Sequence, residues 1–185
     1  MSLPALAPAH VIFPAGPADA EALAYVHVRS WRETYQGLLP DAFLARMSEE
    51  GFTRRFRRQL AAGTGAGITL ALADRSGLVG YAQAGPSRRG RPGEGEISVL
   101  YLLRSAQGRG LGRALLAAAA RVLEAQGARS LMISVLRENT SARGFYEHLG
   151  GIAEPPRREP GPGGAAVWEA AYVWPDIRLV TAPST

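Results

Sequence analysis

The stretch QGRGLGRALLAAAARVLEAQG, residues 107–127, constrains this chain more than any other. A run rich in branched and aromatic residues, EISVLYLL, precedes it. An alanine- and leucine-rich helix, 113–126, follows and is closed by Gly127. Between them Gly108, Gly110 and Gly112 stand at every second position. Glycine gives up more conformational entropy on folding than any other residue, so three this close need a reason. A loop that leaves a strand and opens a helix is where backbone N–H groups and the helix dipole hold an anion. A simple helix-entry turn is the plainer reading, and three glycines bracketed by Gln107, Arg109 and Arg113 make it the weaker one.

The flanking sequence supplies the elements such a loop needs. Residues 11–13 fit a first strand, and Asp19 reads as the N-cap of a helix ending near Gly37. Ala24, Val28, Trp31 and Tyr35 fall on one face of that helix. Residues 40–47 make a short second helix. A third, SEEGFTRRFRRQLAAG, sets Phe52, Phe56 and Leu60 against an arginine-rich face, 54–58. GITLALAD and GLVGYAQAG flank the turn DRSG as a hairpin. SLMISVL is a strand, NTSARGFYEHLGG a short helix, 155–164 a turn-rich loop and AAVWEAAYVW a last strand. Strands and helices in this order predict one mixed α/β domain, as a length of 185 residues also does.

Composition removes several function classes. The chain has no cysteine, so disulfides, thiolate metal sites and an acyl-cysteine intermediate are excluded. Three scattered histidines without cysteine predict no metal site. The start, MSLPALAPAH, lacks a basic head and is broken by Pro4 and Pro8, so it does not read as a signal peptide. No apolar run is long enough for a membrane span, and a cytoplasmic protein is expected. All 21 basic residues are arginine. A pI near 10.2 invites a nucleic-acid reading. The arginines, however, are spread over helix faces and loops without the aromatic interleaving that stacks bases, and an anionic cofactor or acidic acceptor accounts for them better.

The glycine loop fails the common nucleotide patterns. The phosphate loop of nucleotide hydrolases requires a lysine that this chain does not have, and the dinucleotide pattern G-x-G-x-x-G is missed by one residue. The pattern Q-x-x-G-x-G, here Gln107, Gly110 and Gly112, instead resembles the acyl-CoA pyrophosphate loop of the GNAT superfamily of N-acetyltransferases. NTSARGFYEHLG is similar to that family's N-x-x-A-x-x-F-Y segment, with Asn139, Ala142, Phe145 and Tyr146 in place. HVRSWRETYQGLLPDAFL looks like its acceptor-side helices. The element order agrees too, and the resemblance covers 11–178.

That resemblance implies a single GNAT domain over 11–180, between a flexible tail at 1–10 and a short one at 181–185. Its fold would be a mixed, mostly antiparallel central sheet with splayed middle strands, flanked by helices. It implies acetyl-CoA as donor and direct transfer to a primary amine of a small molecule or peptide, with no nucleic acid or membrane as partner and room for a homodimer. A non-catalytic acyl-CoA-binding regulatory module is the alternative.

The residues that would carry the chemistry follow from the same likeness. The family's backbone N–H at the thioester oxygen falls at Leu100, and the strand-like bond to the pantetheine arm at Leu102. Gln107, Gly108, Arg109, Gly110, Gly112 and Arg113 would hold the pyrophosphate, and Asn139 the pantetheine. Tyr146 matches the general acid, with a phenol pKa of ~10 that suits a donor. Glu96 matches the general base of members that have one, and strand alternation puts it on the face of Ser98, Leu100 and Leu102. Glu94 is its substitute, also able to bind a cationic acceptor. Trp31 and Tyr35 are candidates for the acceptor wall. Arg88, Arg89 and Arg91 could meet the acceptor or the CoA 3′-phosphate. Two departures stand out: Gly151 where the family commonly has an aromatic, and Arg104 where proline is frequent.

Overall fold

The computed structural model describes residues 10–63, 65, 67–161 and 166–182. Its spine is one eight-stranded sheet. The first strands are β1 (His10–Pro14), β2 (Ile68–Asp74), β3 (Gly77–Pro86) and β4 (Glu94–Leu102). They are followed by β5 (Ser130–Leu136), β6 (Ile152–Ala153), β7 (Arg157–Pro160) and β8 (Ala166–Trp174). They lie in the order β1-β2-β3-β4-β5-β8-β6, with β7 also on β8, and every pairing among these described strands is antiparallel except β4 with β5. The mixed, mostly antiparallel sheet expected from the resemblance is therefore present.

Two helical layers cover it. On one face lie α1 (Ala20–Tyr35), α2 (Asp41–Ala45) and α3 (Glu49–Ala62). On the other lie α4 (Leu111–Ala125) and α5 (Thr140–His148), with α6 (Arg178–Thr181) beside α4. Under α4 the core includes Ile97, Leu115, Leu116, Leu131 and Trp174. Each such aliphatic contributes about 1.5–3 kcal/mol by leaving water. Under α1 and α3 it includes Leu23, Phe56 and Tyr81. The Phe52, Phe56 and Leu60 stripe of α3 turns inward, as its helical spacing predicts. Among the described residues no helix is long and apolar enough to cross a membrane.

Four local expectations are corrected. Asp19 stands at the N-cap of α1, but its carboxylate accepts from Gly16 N at 2.8 Å and makes no cap bond to the helix. Residues 157–160 are not loop but a strand, because their backbone finds partners along the outer edge of β8. Residues 162–164 of the same expected loop, and Ala165 of the expected last strand, lie outside the described residues. His10 belongs to β1, paired with Asp74, rather than to the tail. Thr181 ends α6 instead of opening the C-terminal tail. The remaining tail residues, 1–9 and 183–185, lie outside the described residues.

Candidate active site

The parallel strands β4 and β5 pair only from Glu94↔Ser130 to Glu96↔Met132 and then separate. Beyond that point the edge of β4 has no β5 ladder, and a cavity of about 680 Å³ opens between them. A bulge accompanies the split. Along β3 the register passes from Ile97 opposite Ala84 to Val99 opposite Gln83, leaving Ser98 as an extra residue.

That extra residue overturns the expected facing of Glu96. Ile97, Leu100 and Leu102 pack on the α4 side of the sheet, whereas Val99, Tyr101 and Leu103 pack on the α1 and α3 side. Glu96, one residue before Ile97, therefore shares the face of Val99 and Tyr101 and lies opposite Leu100. Strict alternation fails because a bulge places two residues opposite one and inverts the parity beyond it.

The glycine loop forms one end of the cavity. Gly108 and Gly110 have φ of +71° and +74°, in the left-handed region, and a Cβ on either would meet nothing within 4 Å. Gly108, Gly110, Gly112 and Arg113 all line the cavity. Helix α4 starts at Leu111, so its first N–H groups have no carbonyl partner within the helix. Arg113 has no carboxylate partner among the described residues. Open space at left-handed glycines, a helix N-terminus and an unpaired guanidinium suit a phosphate-bearing ligand.

The two remaining polar residues of the loop are used otherwise. Gln107 lines the cavity while its Nε2 donates to the carbonyl oxygen of Leu102, the residue expected to meet the pantetheine, at 3.0 Å. Arg109 turns away to Asp74 at 2.9 Å and is not on the cavity wall. Hydrogen bonds from Ser76, then Arg109, hold the Asp74 carboxyl down to about 2.

Helix α5 forms the opposite wall. Asn139, 8 % exposed, caps it through Oδ1, which accepts from Ala142 N at 3.1 Å, so its amide NH2 is not spent on the cap. Tyr146 packs against Phe145, Tyr172 and Trp174 and lines the cavity. Its hydroxyl has no hydrogen-bond partner among the described residues and is not sealed off. Burial raises its pKa above the usual phenol value, so it stays protonated.

Tyr35 and Ser30 of α1 also line the cavity. Trp31 stands behind Tyr35, with ring centroids 4.9 Å apart, and is not itself on the cavity wall. The buried hydroxyl of Ser30 has no partner among the described residues, and no motif in α1 signals it. Arg104 donates its backbone N–H to Glu33 Oε2 at 3.0 Å and its Nη2 to Glu33 O at 2.8 Å, joining β4's end to α1. A proline there would lack the donor. Gly151 is explained as well, since a Cβ would sit 2.8 Å from the Trp174 ring that fills this corner.

The acidic residues before the bulge are not on the cavity wall. Glu96 is 2 % exposed, and both its oxygens are taken by Arg88: Oε2 accepts from the backbone N at 2.8 Å, Oε1 from Nε at 2.7 Å. Glu94 accepts from Ser87 Oγ at 2.6 Å and sits 3.4 Å from Arg91. Arg89 and Arg91 both reach Glu154, at 2.5 and 3.1 Å.

Residues 27–151 match the family described as Acetyltransferase (GNAT) family. The chain belongs to that family. The GNAT chain is 33 % identical over 130 residues to the uncharacterized N-acetyltransferase YuaI of Bacillus subtilis, covering 70 % of itself and 72 % of that relative. Its fold superposes on PaiA N-acetyltransferase of Thermoplasma acidophilum, solved with coenzyme A. There the TM-score is 0.67 at 19 % identity, over 88 % of this chain and 97 % of the other. YncA of Salmonella typhimurium, solved with its cofactor acetyl-CoA, superposes with TM-score 0.64 at 19 % identity, over 90 % and 93 %. As a GNAT member this chain is an acyl-CoA-dependent acetyltransferase with acetyl-CoA as its donor.

Proposed function

We propose that this acetyltransferase moves the acetyl group directly to a primary amine, with the donor's pyrophosphate at Gly108, Gly110, Gly112 and Arg113. The observation that supports this most is the junction of a phosphate-suited loop with the split between β4 and β5, where Tyr146 presents an unpartnered hydroxyl. Acetyl-CoA, when bound, supplies an activated thioester. The Leu100 N–H, on the stretch of β4 that β5 leaves unpaired, donates to the developing oxyanion. One such donor is worth about 10²–10³ in rate. Asn139 supplies its free amide donors to the pantetheine arm. Tyr146 gives its proton to the departing sulfur, a role for which a phenol kept neutral by burial is suited. Tyr35, backed by Trp31, forms the wall on the acceptor's side.

Release of free thiol from acetyl-CoA, measured across spermidine, L-lysine, tobramycin and an alanine-terminated tripeptide, tests the reading. Amine-dependent release with a stoichiometric N-acetylated product supports it. Binding of CoA without release by any of these amines would identify a non-catalytic acyl-CoA module instead.

A further inference from the structure

We propose that Glu169, on β8, takes the proton from the acceptor's ammonium group, and that Glu96 serves as the anchor of the loop between β3 and β4. This inference rests on the transferase reading above. A direct attack needs a neutral amine, and a carboxylate that accepts the proton must be free to do so. Glu96, Glu94 and Glu154 are each held by an arginine of the loop 87–93. Arg88 grips Glu96 at two points, through its backbone N–H and its Nε, while its side chain stays 69 % exposed, which is the geometry of a loop tether.

Glu169 differs. It is half-buried and has no side-chain hydrogen bond or ion pair to any described residue. It lies opposite Leu136, the last residue of β5, on the far side of the split from β4. Along β8, Ala170 and Tyr172 enter the core beneath α4, whereas Val167 packs on the cluster of α1 and α2. Glu169 shares Val167's face, as Leu136 across the ladder also does. Its charge is felt by Tyr35, which lines the cavity. Glu169 is not itself on the cavity wall; it stands level with the last residue of β5, on the face of the sheet that α1 and α2 cover.

The charged groups around it come from several elements. Arg88 and Arg89 of the β3–β4 loop pull its pKa down, while burial, the larger effect, and then Glu159 of β7 and Glu96 of β4 push it up. Arg157 of β7 is its cross-strand neighbour, and Tyr35 of α1 completes the set. The net direction is upward, toward the range of an effective base near neutral pH.

The step balances simply. The ammonium gives one proton to the Glu169 carboxylate, leaving a neutral amine and a carboxylic acid. The nitrogen lone pair then forms the C–N bond as the C–S bond breaks, and Tyr146 protonates the sulfur. The nitrogen's next proton restores the phenol, and Glu169 returns its proton to solvent.

The test is the pH profile of kcat/KM from pH 6 to 9.5, using whichever of the four amines above the wild type acetylates fastest. Glu169→Gln is expected to lower kcat/KM at pH 7 by about 10²-fold, the lower end for a lost general base. The loss shrinks as pH approaches the amine's own pKa, and CoA affinity is retained. Glu169→Ala regains rate with added formate. Glu96→Gln alters the rate through the loop but keeps the shape of the wild-type profile. A Glu169→Gln rate within 3-fold of wild type overturns the proposal, as does a loss that high pH leaves untouched. So does a pH-rescued loss that belongs to Glu96→Gln instead. If no amine is acetylated while CoA still raises the Tm, the transferase reading fails and takes the proposal with it.

Discussion

Gly110 and Gly112 lie two residues apart on the same loop, yet the structure gives their alanine variants opposite effects on stability and a shared effect on binding. Gly110 has φ +74°, so an L-residue there strains the backbone by about 1–2 kcal/mol even though its Cβ touches nothing. Gly112 sits inside α4 with no positive φ, and its Cβ would rest 3.4 Å from Phe145, at the edge of ordinary contact. Alanine there gains helix propensity of about 1 kcal/mol. A chain of this size shifts its Tm by about 2–4 °C per kcal/mol. Gly110→Ala should therefore lower the ligand-free Tm by about 2–8 °C, and Gly112→Ala should leave it unchanged or raise it by about 2–4 °C. CoA at 100 times its Kd adds about 2.7 kcal/mol, a rise of roughly 5–11 °C in the wild type. If the loop holds the pyrophosphate against its backbone, each added methyl crowds it, and a tenfold weaker Kd removes about 3–5 °C of that rise. Differential scanning fluorimetry with and without CoA reads both quantities. A Gly112→Ala protein that is as stable as wild type and gains the full CoA shift would refute the cradle.

Tyr146→Phe should lower kcat by about 10²-fold or more while the CoA-induced Tm shift stays at the wild-type value; full activity in steady-state assays removes Tyr146 as the acid. Arg113→Ala should weaken CoA about tenfold, as loss of a charge-assisted phosphate contact does. Arg109→Ala should change the Kd less than about twofold, because its partner is Asp74. Isothermal titration separates the two, and equal losses would contradict the loop geometry. Burial, and then Arg55, lowers the His27 pKa from 6.5 to about 4, and its ring meets Tyr81 Oη at 2.6 Å. The unfolded chain binds the extra proton between those values, so folding stability is lost as pH falls from 6.5 to 4, by about 3 kcal/mol in all. Urea denaturation at pH 7.5 and 4.5 should show this slope in the wild type and a flatter one in His27→Gln.

The sheet, the glycine loop and the start of α5 could be read from sequence because each depends on local chemistry. Glycines at left-handed positions, an asparagine three residues before the N–H it caps, and apolar periodicity are all written in short windows. Strand β7 could not be read this way. RREP carries charge and proline, and becomes a strand only because the outer edge of β8 offers its backbone a ladder. Ser30 and Glu169 were equally silent. Their significance comes from partners that other groups already hold, which is a property of the folded whole.

Glu96 shows most sharply where local reading stops. Counting by twos puts it beside Leu100, and every residue in that count is correctly placed on a strand. One unpaired residue, Ser98, turns the glutamate to the other side of the sheet. The same irregularity accompanies the separation of β4 from β5, without which there would be no cavity. The two consequences are linked: a strand that must leave its neighbour to expose backbone groups loses the alternation by which its side chains are assigned. Glu96 lies before the split, in the grip of Arg88. Leu100 lies beyond it, and Glu169 is level with the last residue of β5. The two glutamates share a face of the sheet and neither is on the cavity wall, so it is freedom from an arginine partner among the described residues that favours Glu169 as the base.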